Sequence, residues 1–214
     1  MTYLEIVNRV LRRLREDSPV STVTANSYST LIGDLVNVVK REVEDAWNWS
    51  VLRDTLTATT TQGFFNYVLE GSGTRFRIID VINDTSNIIM DSKSLEWFNK
   101  QFLLTDVPQG QPIYYNFNGV DSNGDTQIDV YPIPDGAYNL RFNMVLPQPD
   151  LENDTDVIQV PGNLVIEGTI ARALSERGED GGLQEQEVRY RNMLSDMIAI
   201  EAGNRPEETV WFPS

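Results

Sequence analysis

Residues 27–49 constrain this chain more than any other stretch, because they hold its longest unbroken helical period. Tyr28, Leu31, Ile32, Leu35, Val36, Val39, Val43, Ala46 and Trp47 recur at steps of three and four, which gathers them into one broad stripe of an α-helix. Asp34, Asn37, Lys40, Arg41, Glu44, Asp45 and Asn48 fall on the other, polar side. Valine restricts χ1 and lowers local helix preference, so packing of the stripe against partner helices must supply most of the stability. The sequence offers one such partner before this helix and two at its far end, separated from it by strand-like sequence.

The partner before it opens with Thr2 and Glu5, the spacing of a capping box in which each side chain satisfies a free backbone donor at a helix start. Tyr3, Val7, Val10, Leu11 and Leu14 form its apolar stripe, and Arg9, Arg12, Arg13 and Arg15 stand on the polar side. Such a run of arginines reads either as a solvated face paired with nearby carboxylates or as a docking surface for an acidic partner or a neighbouring copy. A Ser/Thr-rich loop with Pro19 then leads into the long helix. Of the tryptophans that end it, only Trp47 lies clearly on the stripe.

From Val51 the period changes to two, with Leu56 and Ala58 alternating with threonines. Residues 64–69, 76–82, 87–90, 112–117, 127–131 and 138–146 follow as antiparallel strands, interrupted by a short helix within 92–104 carrying Leu95, Phe98, Phe102 and Leu103. Asp121-Ser122-Asn123-Gly124-Asp125 has oxygen ligands at alternating positions like a calcium loop, but Thr126 replaces the turn glycine and Pro132 the final glutamate, so it reads as a hairpin turn. After a loop-rich connector, helical period returns in Leu164, Ile166, Ile170, Ala173 and Leu174. Beyond Gly178 and Gly181-Gly182 it resumes in Leu183, Tyr190, Leu194, Met197 and Ile198. Residues 204–214 hold two prolines and the pair Trp211-Phe212, which rules out a regular helix of any length.

Composition narrows the chemistry. The chain has neither Cys nor His, which removes thiol nucleophiles, a Ser-His-Asp triad and nitrogen or sulfur metal sites. No phosphate-cradling glycine motif occurs, so no cofactor, metal or catalytic residue is expected. A carboxylate-pair hydrolase remains formally open, but among 32 acidic residues no pair stands out. With 17 basic residues and a net charge of -15, a basic nucleic-acid-binding surface is not expected. The first residues lack the layout of a secretory signal, and no stretch approaches the apolar length of a membrane span.

Tyr3-Leu4-Glu5-Ile6-Val7-Asn8-Arg9-Val10-Leu11-Arg12-Arg13-Leu14, the later Val43-Glu44-Asp45-Ala46-Trp47-Asn48-Trp49, Pro161, Ile166-Glu167-Gly168 and Ala171-Arg172-Ala173-Leu174 carry a resemblance. In these segments and in its order of elements the chain resembles the head-to-tail adaptor proteins of short-tailed bacteriophages, the tail tubular protein A family, and departs from them most in the β region. The fold expected is α+β: a four-helix bundle from 1–50 and 161–203, an antiparallel β subdomain at 51–160, and an extended C-terminal arm at 204–214. The resemblance implies a virion structural role, in which a homo-oligomeric ring of twelve copies joins the portal protein to the tail nozzle protein. The virion tail would be assembled in the host cytoplasm, without membrane contact. DNA would pass through the ring without tight binding, and an acidic wall suits that passage because it does not pair with phosphates. Arg9, Arg12, Arg13, Arg15, Trp211 and Phe212 are the candidate partner-binding residues. An alternative reading makes the β region a recognition module that binds a glycan or receptor through exposed Tyr114, Tyr115 and Tyr131.

Overall fold

The structure is a computed structural model, described for residues 1–16, 19–178 and 181–203. It is mixed α+β, with five α-helices and two four-stranded sheets among the described residues. The chain divides into two compact units, Met1–Leu52 with Gln148–Ser214, and Arg53–Pro147.

In the first unit, α1 (Tyr3–Arg13) starts at the expected capping box: Thr2 N–H donates to Glu5 Oε2 at 3.0 Å and Glu5 N–H to Thr2 Oγ1 at 3.2 Å. Its inward face is Tyr3, Ile6, Val7, Val10 and Leu11. The long helix, α2 (Ser27–Ala46), has a capping box of its own between Asn26 and Ser29. It ends earlier than the sequence period suggests, because Trp47 takes an extended backbone. Trp49, not Trp47, is the deeply buried ring: it is 2% exposed and its Nε1 donates to the Val43 carbonyl at 2.6 Å, satisfying a C-terminal orphan of the helix.

A second correction concerns the polar side of α2. Lys40 and Glu44 are fully buried and paired at 3.0 Å. The returning segment covers this flank: Lys40 Nζ donates to the Gln148 carbonyl at 2.6 Å, Asn37 bonds both backbone groups of Leu151, and Arg41 pairs with Asp150. The connector therefore packs with the helices; Tyr3 N–H donates to Asp156 O at 2.8 Å and Ile158 N–H to Met1 O at 3.1 Å.

The most enclosed helix is α4 (Gly162–Glu176), which buries an almost continuous run from Leu164 to Ala171 and touches α1, α2 and α5 (Leu183–Gly203). A helix with buried residues on most of its faces belongs in an interior. Gly168 makes the close approach possible, since a Cβ there would lie 2.6 Å from Val39 Cγ1 and 2.8 Å from Tyr190 Cε2. By contrast, Gln186 is the one buried residue of α5.

The second unit is built from β1 (Arg53–Thr59), β2 (Asn66–Val68), β3 (Arg77–Asn83), β4 (Ile88–Ile89), β5 (Asp91–Ser92), α3 (Leu95–Phe102), β6 (Tyr114–Val120), β7 (Thr126–Tyr131) and β8 (Asn139–Val145). The sheets run β1-β8-β3-β4 and β2-β7-β6-β5. Side chains from both sheets share one core, among them Val81, Tyr115, Ile128, Val130, Leu140, Phe142 and Met144. On β8 the buried residues alternate with Asn139, Arg141 and Asn143, the period of a strand with one face inward. The sequence predicts antiparallel pairing throughout; the sheets depart from it at one place, where β5 pairs with β6 in parallel. Parallel neighbours need a crossover, and α3 lies in the connection between them.

Candidate partner-binding surfaces

Arg9, Arg12, Arg13 and Arg15 are all exposed. With the apolar face of α1 turned inward, the first three line one groove of about 490 Å³, whose other walls are Asn163, Ile166, Glu167 and Met193 of α4 and α5. Arg15 lies beyond the end of α1, at a left-handed φ of 59°, and does not line it. The arginines in the groove differ in what they touch. Arg13 pairs with the Glu167 carboxylate, which is 6% exposed and also receives Gln186 Nε2 at 2.7 Å, with Arg189 Nε 3.5 Å away. Burial by itself pushes the Glu167 carboxyl up, but the hydrogen bonds from Gln186 and Arg13 and the charges of Arg13 and Arg189 together hold it below its ordinary value. This cluster ties α1, α4 and α5 at one point. Arg9 and Arg12 have no ion pair among the described residues. Arg12 also stands in the last turn of α1, where a cation is favoured by the helix dipole.

A second groove, of about 480 Å³, lies on the α2 side of α1. Its charged lining is Asp34, Glu152 and Asp154, and its floor includes Tyr3 and Leu151. The Tyr3 phenol is pushed up to about 12 by burial and by the charges of Asp34, Asp150 and Asp154, so the local potential is negative. Asp154 has a structural task, accepting Val23 N–H at 2.9 Å. The outer face of α5 adds exposed apolar residues, Val188 and Ile200, beside Met193 and Met197.

The tyrosines that a glycan platform would need are packed among other rings. Tyr115 and Tyr131 are each 7% exposed, and Trp97 packs edge-on against Tyr114 at 5.0 Å and Tyr131 at 5.2 Å. The acidic 121–125 segment is a turn held by its own side chains: Asp121 Oδ1 accepts Asn123 N–H and Asp125 N–H, and Asp125 Oδ1 accepts Gly71 N–H and Gly73 N–H. Trp211 and Phe212 lie outside the described residues.

Sequence reasoning missed the Glu167–Gln186 pair and the acidic groove. A signal for the first was present, a lone carboxylate inside the apolar run Leu164-Val165-Ile166-Glu167-Gly168-Thr169-Ile170. The groove had none, because Asp34 and residues 152–154 are brought together only by the return of the connector.

A protein-family model described as SU10 adaptor protein matches residues 1–210, through both compact units. The chain belongs to the SU10 adaptor family. No curated protein matches it. Family membership makes it a phage adaptor, a structural component of the virion that works by contact with other virion proteins, in agreement with the resemblance read from the sequence. For an SU10 adaptor the relevant chemistry is that of surfaces, and the two grooves of opposite charge flanking α1 are its most distinctive ones.

Proposed function

We propose that the chain is the head-to-tail adaptor of a short-tailed phage, forming a ring, of twelve copies, that joins the portal vertex to the tail nozzle around the DNA channel. The observation that carries this reading is the adaptor-family match over residues 1–210. Four helices drawn from both chain ends, with α4 packed against the other three, support a bundle able to hold its shape while its surfaces bind neighbours. The net charge of -15 supports passage of DNA without tight binding, since retention on a channel wall depends on paired phosphates and released counterions. No catalytic step is assigned. In this reading residues 204–214 form an arm that anchors to the portal through Trp211 and Phe212, aromatic residues of the type that dominates interface energies.

Native mass measurement of the protein mixed with the portal ring of its phage tests the proposal. A complex with as many adaptor copies as portal subunits is the expected product. A portal ring that leaves the mixture bare would refute it. Removal of residues 204–214 should leave a folded chain that no longer holds the portal, whereas undiminished binding would take the anchoring role away from Trp211 and Phe212.

A further inference from the structure

The two grooves flanking α1 have complementary chemistry within a single copy. On the α4 side, Arg9 and Arg12 are exposed and, among the described residues, unpaired, above an apolar floor of Ile166 and Met193. On the α2 side, Asp34 and Glu152 are exposed, and among the described residues neither carboxylate has a hydrogen-bond or ion-pair partner. No basic residue lines the acidic groove. Most other arginines of this unit are already committed, Arg41 to Asp150, Arg172 to Glu42, Arg177 to Glu16 and Arg13 to Glu167. The unpaired charges of the two grooves are thus of opposite sign, basic on α1 and acidic on α2 and the connector.

We infer that the Arg9–Arg12 face of one copy receives the Asp34–Glu152 face of the next, so that the helical unit carries both halves of a head-to-tail contact between copies. The inference rests on the adaptor reading and assigns surfaces to its ring. A second copy is the occupant because this chain itself supplies the complementary charge, and because two different faces joined head to tail generate a ring when the rotation closes. Facing charges of this kind orient encounter and fix register, while Ile166 and Met193 supply apolar contact beside them. Arg13 and Asp154 lie at the edges of the contact but are held by Glu167 and the Val23 backbone, so they shape the two faces without being free to pair.

The test uses two variants of the full chain, assembled on the portal ring. One reverses the basic face, Arg9→Glu with Arg12→Glu; the other reverses the acidic face, Asp34→Lys with Glu152→Lys. All four positions are exposed, so both variants should keep the circular dichroism of the parent, the basic-face variant melting only slightly lower because Arg12→Glu reverses a charge that the α1 dipole favours. Each alone presents like charges to itself and should need at least about tenfold more protein to form the ring. Mixed in equal amounts they should restore it, because every contact then pairs opposite charges in an alternating ring. Undiminished assembly of either variant alone, or folded variants whose mixture fails to recover, would overturn the inference. If the basic-face variant assembles normally but loses retention on duplex DNA, the arginines face nucleic acid and the inference falls. Failure of the parent chain to assemble on the portal would instead remove the adaptor reading itself.

Discussion

Replacing Lys40 by Met removes one half of an ion pair that has no access to water. Both side chains are 0% exposed, Lys40 Nζ lies 3.0 Å from Glu44 Oε1, and the same ammonium donates to the Gln148 carbonyl at 2.6 Å. Met matches the stem of the lysine, so the loss is electrostatic: Glu44 loses the ammonium paired with it in the interior and the Gln148 carbonyl loses its donor. Breaking a buried pair from one side costs about 3–5 kcal/mol. For a chain of this size that corresponds to a fall of roughly 6–20 °C in the melting of the helical unit. The double variant Lys40→Met with Glu44→Leu removes both charges of the pair and leaves the Gln148 carbonyl without its lysine donor, a cost of about 1–3 kcal/mol that apolar packing partly offsets. It should therefore be more stable than the single variant. Urea titration followed by circular dichroism at a helical wavelength measures both. A single variant that loses less than about 1 kcal/mol, or a double variant no better than the single, would refute the reasoning.

Three further outcomes follow from the packing. Glu167→Gln should flatten the acid limb of stability: the folded carboxyl lies below its ordinary value, so its contribution is complete above the unfolded pKa and is lost as pH falls through the folded one, which urea midpoints between about pH 3 and 7 will show. Gly168→Ala should cost about 1–3 kcal/mol, because the added methyl meets Val39 and Tyr190 where α2, α4 and α5 converge; calorimetry checks it. Trp49→Phe should cost about 1–2 kcal/mol through loss of the Nε1 bond to Val43 O, whereas Trp47→Phe should be close to neutral, since the buried Trp47 Nε1 has no partner among the described residues; paired melts distinguish the two.

The α1 capping box, the change of period at the start of β1 and the alternation on β8 were legible because each is a local signal, read from neighbours within a turn or a strand. What was not legible depended on segments distant in sequence. Lys40 and Glu44 look solvated on a helical wheel, and only the return of residues 148–151 puts them inside. The parallel β5–β6 pair depends on where the chain re-enters the sheet after α3, which no pattern in Asp91–Ser92 records. In the candidate surfaces, the crowding of Arg9, Arg12 and Arg13 was visible, but the commitment of Arg13 to Glu167 was not, because the two lie 154 residues apart. Tyr115 and Tyr131 were ambiguous for a different reason: strand alternation says that one face is buried, and the partner sheet decides which.

Electron microscopy of the protein bound to the portal ring of its phage tests the central claim most directly. The account predicts a second ring on the portal axis, with an open channel through its centre and one adaptor per portal subunit. Particles in which the protein is absent from the ring, or attached off the axis without closing around the channel, would contradict it.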